Sequence, residues 1–326
     1  MSSKAGLRKN VVIASPALAA ANNGNWQTAS RWARMLHGDF HVRIVPSWQG
    51  EPCDALIALH ARRSADSIAA FAKAQPGRPL IVVLTGTDLY RDIRMDVSAQ
   101  RSLQQATRLV VLQDQGVDEL PAAQRAKCVV IYQSAPRLQP AAPLPRVLRV
   151  VNVGHLRDEK DPVTFMRAAR RLRERADIRF DQIGVALTPS LGLEARRTEA
   201  ECPNYHWLGG LPRASARQHI RRAQVLVSTS RMEGGAQVIL EAAQSGTAVV
   251  ASHIPGNVGM LGAAHSGYFD LGDDAHLSAL LERARDETNF LAELRRQTVA
   301  RAPLFDPAEE QRRLLDLVGT ALETSP

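Results

Sequence analysis

Cysteine, lysine and aromatic residues are all scarce in this sequence. Its three cysteines lie far apart and form no Cys-x-x-Cys pair, which argues against a metal site or a redox centre. Aromatic residues make up 5% of the chain, too few for the stacking platforms that bind single-stranded nucleic acids. The basic residues are spread along the chain instead of forming one stripe, so we expect no nucleic-acid partner. The net charge of +8 would attract a small anionic substrate.

Long apolar segments are also absent. No run approaches the roughly 20 apolar residues that span a bilayer, and the N-terminus lacks the apolar stretch and cleavage site of a signal peptide. We therefore expect no membrane insertion and a cytoplasmic location. The sequence leaves the oligomeric state open.

Motifs of several enzyme classes are missing. There is no Gly-x-Ser-x-Gly elbow, no Walker loop and no Gly-x-Gly-x-x-Gly after the first apolar run. His37 and His41 have the spacing of metal ligands, but Gly38-Asp39 between them predicts a turn and a strand start. No metal and no other cofactor is expected.

The sequence does show a regular alternation of short apolar runs with helical patterns. This alternation predicts the α/β class, with parallel sheets covered by helices on both faces. At 326 residues and 45% apolar content the chain can form two packed cores. Helices are predicted at 26–36, 277–286 and 308–322. Strands are predicted at 11–14, 41–45, 55–59, 80–84, 109–112, 129–132, 147–153, 178–184, 206–208, 225–228 and 248–251.

A cluster of prolines separates two halves of this pattern. Pro136, Pro140, Pro143 and Pro145 interrupt both helix and strand and favour an extended linker. The predicted domains are 1–140 and 146–303, followed by a terminal helical segment at 304–326. In open α/β sheets, ligands bind at the carboxyl ends of strands. The candidate binding motifs are therefore expected just after the strands.

The turn after the first strand contains Asn22-Asn23-Gly24-Asn25 and leads into a helix. Gly24 permits close backbone approach, Asn25 can cap the helix, and free amides at its N-terminus attract phosphate. Any strand-to-helix turn can use the same residue types. This segment alone leaves phosphate binding and a plain turn both open.

The first strand of the second half leads into a charged turn at 154–162. Arg157 and Lys160 lie at the strand tip, where two cations can neutralise a diphosphate. Asp161 is placed to cap the next helix, which Pro162 starts. The alternative is a solvated turn in which the two acidic residues between the cations pair with them.

A third motif lies between Glu233 and Glu241. The two glutamates can accept hydrogen bonds from sugar hydroxyls, and a turn and helix start between them present amides to phosphate. A glutamate that complements a helix dipole would explain Glu233 but not the glycine pair. The residues of the turn are Gly234, Gly235, Ala236 and Gln237.

Three further groups follow strands. His60 stands at a strand's carboxyl end, with Arg62 and Arg63 directly after it. Residues 85–88 either line the same site or cap a turn. Residues 252–262, rich in glycine, predict a loop near the ligand.

Together these motifs resemble the family 4 type glycosyltransferases of GT-B fold. The segment from Glu233 to Glu241 matches the family's Glu-x7-Glu motif, and residues 153–161 resemble its Gly-Arg-Leu-x-x-Glu-Lys-Gly segment. Here His155 replaces the family's arginine, so Arg157 is the candidate to take over that contact. The resemblance implies two Rossmann-like domains that face each other across a cleft, and a C-terminal helix that crosses back to the first domain.

The resemblance also implies roles for these residues. Lys160 would bind the diphosphate, Glu241 the ribose, and Glu233 with the amides that follow it the sugar and diphosphate. Gly24 would contact phosphate from the other domain. No Asp-x-Asp, the metal-binding motif of the other major glycosyltransferase architecture, is present. The candidate catalytic residues are Lys160, Arg157, Glu233 and His60. The candidate substrate-binding residues are Gly24, Asn25, Arg62, Arg63, Arg231, Gly234, Gly235, Ala236, Gln237 and Glu241.

Within that family, phrases such as Gly-Asn-Trp-Gln-Thr-Ala-Ser-Arg-Trp and Leu-Thr-Gly-Thr-Asp-Leu-Tyr resemble the selenosugar synthases of selenoneine biosynthesis. This resemblance implies a UDP-sugar, UDP-N-acetylglucosamine or UDP-glucose, and selenophosphate as substrates. Because both substrates are anions, we expect a cationic pocket formed by Arg62, Arg63 and Arg231 beside His60. Two alternatives stay open: an ordinary family 4 transferase acting on a hydroxyl, and a non-catalytic nucleotide-sugar-binding protein.

Overall fold

The computed structural model describes residues 8–17, 24–142 and 146–324, and the chain divides into two compact units. Unit 1 contains the described residues up to Gln133 and those from Pro307 onward, and unit 2 is Ser134–Asp306. Of the proline cluster, Pro136 and Pro140 begin unit 2, whereas Pro143 and Pro145 lie outside the described residues. No helix in the described ranges is both long and apolar enough to cross a membrane.

Unit 1 is built on a parallel sheet of short, buried, β-branched runs. Both faces of its central strands are buried, as expected for parallel strands covered by helices. The strands are β1 (Asn10–Ala14), β2 (His41–Val45), β3 (Ala55–Leu59), β4 (Leu80–Leu84), β5 (Arg108–Val111) and β6 (Cys128–Val130). The helices are α1 (Gly24–Leu36), α2 (Ala65–Ala74), α3 (Ile93–Met95), α4 (Val97–Gln105), α5 (Ala122–Arg125) and, from the chain's end, α13 (Pro307–Glu323). The strand order is β2-β1-β3-β4-β5-β6.

Helix α13 belongs to unit 1 because its apolar face packs with α1 on the sheet. Leu314 and Val318 join Trp32 in one buried cluster. The Glu310 carboxylate, also on α13, accepts from Arg31 Nε at 3.0 and 3.1 Å and from Trp32 Nε1 at 2.7 Å. These contacts join the two ends of the described chain within one unit.

Unit 2 repeats the plan with a second parallel sheet. Its strands are β7 (Leu148–Val153), β8 (Ile178–Ile183), β9 (Tyr205–Trp207), β10 (Val225–Ser228), β11 (Ala248–Ser252) and β12 (Tyr268–Phe269). Its helices are α6 (Pro162–Arg171), α7 (Pro189–Glu201), α8 (Arg213–Arg222), α9 (Gln237–Ala243), α10 (Pro255–Leu261), α11 (Asp274–Asp286) and α12 (Thr288–Ala300). The strand order is β12-β11-β10-β7-β8-β9. The predicted α/β class with parallel sheets is confirmed.

Each sheet has a point where the strand order reverses direction, and loops at such a point diverge to leave a binding crevice. In unit 1 the reversal lies between β1 and β3, and in unit 2 it lies between β7 and β10. The loops after β7 and β10 are therefore neighbours, although about 70 residues of sequence separate the strands. The loop after β1 lies only partly in the described ranges.

The structure corrects three local expectations. Residues 255–261 form helix α10, not a loop, with Pro255 in its first turn, a position proline favours. Helix α1 spans Gly24–Leu36, so Asn25 lies inside its first turn and not before it. Asp161 does precede α6, but its side chain accepts from the Thr164 hydroxyl at 2.8 Å and makes no cap bond to the backbone.

Candidate active site

In unit 2, hydrogen bonds to backbone carbonyl groups join the loops after β7 and β10. The Thr229 hydroxyl donates to the Lys160 carbonyl at 2.8 Å, and the Arg231 amide donates to the Glu159 carbonyl at 2.9 Å. These bonds fix the backbone from which Lys160 and Glu233 project. The charged turn and the Glu-x7-Glu motif thus meet at the reversal point of the sheet.

Lys160 and Glu233 form a close ion pair at this edge. Lys160 Nζ lies 2.5 Å from Glu233 Oε1, and the Ser230 hydroxyl donates to the same oxygen at 2.6 Å. The Lys160 side chain is 25% exposed and that of Glu233 is 9% exposed. The lysine therefore turns toward Glu233, and among the described residues it does not pair with the acidic residues of its own turn.

Glu233 is held from behind by a close approach of helix α10. A Cβ atom added to Gly256 would lie 2.1 Å from the Glu233 carbonyl oxygen, which is within the repulsive range. The Ser252 hydroxyl donates to the Ser230 carbonyl at 2.6 Å and supports the same turn. A glycine at position 256 is thus required for α10 to pack against the Glu233 turn.

The turn between the two glutamates leaves its amides open. Within the described residues, the amides of Gly234, Gly235, Ala236 and Gln237 donate to no other group of the protein. Helix α9 begins at Gln237, so this amide belongs to its unsatisfied first turn. The segment has the donors that an anionic group would need.

Glu241 lies on α9 with 4% of its surface exposed. Its Oε1 accepts from Arg213 Nη2 at 3.0 Å and from Arg213 Nε at 3.2 Å. Sequence analysis did not identify Arg213, because nothing in its spacing relates it to Glu241. The only available signal is that a buried carboxylate requires a partner.

The two predicted arginines of unit 2 lie at the edge of this cluster. Arg157 precedes the short 3-10 turn Asp158–Lys160, with its Nε 3.9 Å from Glu159 Oε2. Arg231 Nη2 lies 3.3 Å from Asp161 Oδ2, and half of its side chain is exposed. Neighbouring His155 has a lowered pKa, through desolvation and then through the positive charges of Arg157 and Lys160.

In unit 1, His60 directly follows β3 and adopts a left-handed backbone conformation with φ of 74°. The ring is 2% exposed. Its Nδ1 accepts from the Arg63 amide at 3.2 Å, so the neutral ring carries its proton on Nε2, 3.0 Å from the Thr87 hydroxyl. Burial, together with the positive charges of Arg63 and Arg62, lowers the pKa of His60 and outweighs the opposite effect of the Asp88 and Asp92 carboxylates.

Asp88 and Asp92 bind the loops around this histidine. Asp88 accepts from the amides of Ala61, Thr85 and Gly86, each at 2.9 Å, so residues 85–88 cap a turn. Asp92, which the sequence analysis missed, has Arg62 Nε 3.1 Å from its Oδ2.

The remaining candidates of unit 1 are more exposed or lie at the edge of the described residues. Arg63 is exposed, and within the described residues its side chain has no ion pair. Gly24 opens α1 directly after residues 18–23, which lie outside the described ranges and include Asn22 and Asn23. A Cβ atom at Gly24 would meet no atom of the described residues within 4 Å.

A protein-family match lies within unit 2 and the residues just described. Residues 144–303 match the family described as Glycosyl transferases group 1. That range contains Lys160, Glu233 and Glu241. A comparison with curated protein sequences finds no match.

Solved structures resemble the whole chain. A sucrose-phosphate synthase from Thermosynechococcus elongatus superposes with a TM-score of 0.79 at 14% identity, over 98% of this chain and 100% of that one. Anabaena Alr3699/HepE gives 0.74 at 14% identity, over 96% and 100%. A glycosyltransferase from Rickettsia africae gives 0.74 at 12% identity, over 98% and 100%. At such identities the likeness shows the fold. The chain has the GT-B fold, and its residues 144–303 match the Glycosyl transferases group 1 family.

Proposed function

We propose that the chain transfers a sugar from a UDP-sugar bound at the loops after β7 and β10. The observation that carries this proposal is the 2.5 Å contact between Lys160 Nζ and Glu233 Oε1. It sets a cation suited to a diphosphate beside a carboxylate suited to sugar hydroxyls. Structures of the neighbour Anabaena Alr3699/HepE hold UDP and glucose in one case and UDP-glucose in another, which supports the same donor class here.

In this proposal the donor is held by side chains and amides of unit 2. A lysine ammonium has three donors, so Lys160 can keep its bond to Glu233 while it donates to a phosphate oxygen. Arg157 and the open amides of the 234–237 turn add further donors for the charge that builds on the leaving diphosphate. Glu241 accepts from the ribose hydroxyls. Because Lys160 and Arg157 supply positive charge for the diphosphate, we propose a transfer that requires no metal or other cofactor.

We further propose selenophosphate as the acceptor, on the resemblance to selenosugar synthases. The selenium of selenophosphate forms a bond to the anomeric carbon while the bond from that carbon to the diphosphate oxygen breaks. The bonding pair leaves with UDP. Water then cleaves the selenium–phosphorus bond, which gives phosphate and a 1-selenosugar.

The environment of His60 supports an acceptor that requires no general base. Its Nδ1 already accepts from a backbone amide, and its Nε2 proton is directed to Thr87. A selenium anion is strongly nucleophilic and weakly basic, whereas a hydroxyl acceptor must lose a proton. Arg62, Arg63 and Arg231 are the proposed contacts of the anionic acceptor, with His60 holding the Arg63 backbone through Nδ1.

The test is to incubate the chain with UDP-N-acetylglucosamine or UDP-glucose and to measure UDP release. One arm contains selenophosphate, a second contains a panel of hydroxyl acceptors, and a third contains EDTA with selenophosphate. We expect release that depends on selenophosphate and continues in EDTA.

The other outcomes distinguish the alternatives. Release that depends on a hydroxyl acceptor would reject selenophosphate and keep the UDP-sugar. UDP binding without release in any arm would indicate a non-catalytic nucleotide-sugar-binding protein. If selenophosphate supports release, replacement of Arg62, Arg63 and Arg231 by glutamine should raise its KM, and an unchanged KM would place the acceptor contacts elsewhere.

A further inference from the structure

Unit 2 contains a second candidate site, at the edge of its sheet away from the loops described above. A cavity of about 100 Å³ is lined by Arg149, Arg179, Asp181, His219, Arg222 and Ala223, and we call it the β7–β8 cavity. Arg149 and Arg179 are the second residues of β7 and β8. They lie near the amino ends of these strands, whereas the Lys160 turn follows the carboxyl end of β7. The two sites are therefore at opposite edges.

The β7–β8 cavity concentrates positive charge. Arg149 and Arg179 are register partners on adjacent strands, an arrangement in which like charges repel. Arg222, the last residue of α8, adds a third guanidinium. The single carboxylate of the lining, Asp181, is 2.9 Å from Arg179 Nε through its Oδ1. One acid therefore faces three arginines.

Two of these guanidinium groups lack a protein partner. In the described ranges, the side chains of Arg149 and Arg222 form no hydrogen bond and no ion pair. The dipole at the C-terminus of α8 accounts for a cation at Arg222. It does not account for Arg149, which a strand places beside another arginine. A bound anion would relieve this repulsion at Arg149.

We propose that the β7–β8 cavity binds a phosphoryl oxyanion, with the guanidinium groups of Arg149, Arg179 and Arg222 as its donors. Arginine forks match the oxygens of a phosphate group, and such charge-assisted bonds are the strong ones. The cavity is several times larger than the ~10–15 Å³ that one water needs and smaller than the ~300 Å³ of typical ligand pockets. A tetrahedral ion therefore fits this volume.

Asp181 gives the site a preference between oxyanions. Hydrogen phosphate retains an O–H group near neutral pH, which a carboxylate oxygen can accept, whereas sulfate has no proton to donate. Asp181 Oδ1 is engaged by Arg179, and Oδ2 is the oxygen available to a ligand. The site should thus favour phosphate over sulfate. An asparagine at this position can donate to sulfate and should reduce that preference.

The test is calorimetric titration of the full chain with inorganic phosphate and with sulfate. The same titration of Lys160→Ala separates this cavity from the proposed donor site, because that variant lacks the ammonium group that is proposed to bind the diphosphate. We expect phosphate binding that survives Lys160→Ala and weakens about tenfold to a hundredfold in Arg149→Gln. Arg167→Gln, which alters an exposed arginine of α6, is the matched control and should bind as the unaltered chain does.

Thermal unfolding provides a second readout that does not depend on calorimetric heat. Without phosphate, Arg149→Gln should be as stable as the unaltered chain or more so, since it removes a repulsion. In the presence of phosphate, Arg149→Gln should be less stable than the unaltered chain. Asp181→Asn should narrow the difference between phosphate and sulfate affinity.

Two results would overturn the proposal. One is phosphate binding with equal affinity in Arg149→Gln and in the unaltered chain. The other is phosphate binding that disappears in Lys160→Ala, which would assign the anion to the loops after β7 and β10. Because Lys160→Ala leaves the cavity intact, the proposed function and this site can fail independently.

Discussion

Arg213 donates through both Nε and Nη2 to a single oxygen of Glu241, Oε1, at 3.2 and 3.0 Å. Among the described residues no group donates to Oε2, which stays open to a ligand, and the two bonds to Oε1 fix the orientation of the carboxylate on α9. The Glu241 side chain is 6% exposed and that of Arg213 is 38% exposed. Arg213 is thus the residue that positions the predicted ribose contact.

Arg213→Gln should therefore weaken UDP binding without loss of the fold. Loss of a charge-assisted bond to a buried carboxylate costs about 1.5–3 kcal/mol, so we expect the Kd for UDP to rise about tenfold or more. Calorimetric titration with UDP measures this change, with Arg167→Gln as the control. Equal Kd values for the two variants would show that Glu241 does not need Arg213 for its function.

Lys160→Ala should reduce kcat more than it weakens the binding of the UDP-sugar. Removal of one preorganised donor to a developing charge lowers kcat by roughly 100- to 1000-fold. Steady-state UDP release measures the effect, and Lys73→Ala, at an exposed position of α2, is the control.

The same substitution deprives the buried Glu233 of its partner, so lost stability must be separated from lost chemistry. The double variant Lys160→Ala with Glu233→Gln removes both charges and should recover stability but not activity. Recovery of activity in the double variant would contradict a direct role for Lys160.

Gly256→Ala should disrupt the Glu233 turn from behind. The added Cβ would lie 2.1 Å from the Glu233 carbonyl oxygen and 2.9 Å from its Cβ, so the turn or α10 must move. We expect a loss of about 1–3 kcal/mol in the free energy of unfolding, together with lost activity. A Cβ atom added to Gly319 on α13 would meet no atom of the described residues within 4 Å. Gly319→Ala should therefore stabilise the chain by about 0.5–1 kcal/mol. Denaturant unfolding compares the two, and equal stabilities would contradict the close approach.

The sequence predicts the strands of this fold well and the side-chain partners poorly. Each predicted strand is present with ends that differ by at most two residues, because buried parallel strands leave continuous apolar runs. Strand β12, with two residues, is too short to show a pattern. Helix α10 was missed because its glycines predict a loop, whereas one of them, Gly256, is required by its packing on Glu233.

The site residues show the same contrast between local motifs, which are predicted, and distant partners, which are not. Lys160 and Glu233 were predicted because each belongs to a motif next to a strand end. Arg213 and Asp92 act through pairing with residues 28 and 30 positions away along the chain. No local pattern marks such pairs, since the tertiary fold alone brings the partners together.

The stability of the chain should fall on mild acidification because of two buried histidines. Burial lowers the pKa of both His60 and His265 below the ordinary 6.5. The unfolded chain then binds protons that the folded chain does not, so stability is complete above about pH 6.5 and decreases as the pH falls through the folded values.

Denaturant unfolding at about pH 7.5 and about pH 5.5 measures the difference. In His60→Asn, whose asparagine tolerates the left-handed φ of 74°, the decrease should be smaller. His37→Asn is the control at an exposed position. An unchanged decrease in His60→Asn would show that His60 titrates alike in both states.

Glu310→Gln should destabilise unit 1 far more than a change at the adjacent Glu309. Glu310 is 1% exposed and its carboxylate accepts from Arg31 and Trp32 at 2.7–3.1 Å, so its neutralisation removes a negative charge that faces the buried Arg31 guanidinium. Breaking such a pair costs about 3–5 kcal/mol. Hydrogen bonds from its exposed neighbours Arg312 and Arg313 lower the pKa of Glu309 to about 2. Such surface pairs contribute little, so Glu309→Gln should leave the Tm almost unchanged. Similar Tm values for both variants would mean that α13 is held by its apolar face alone.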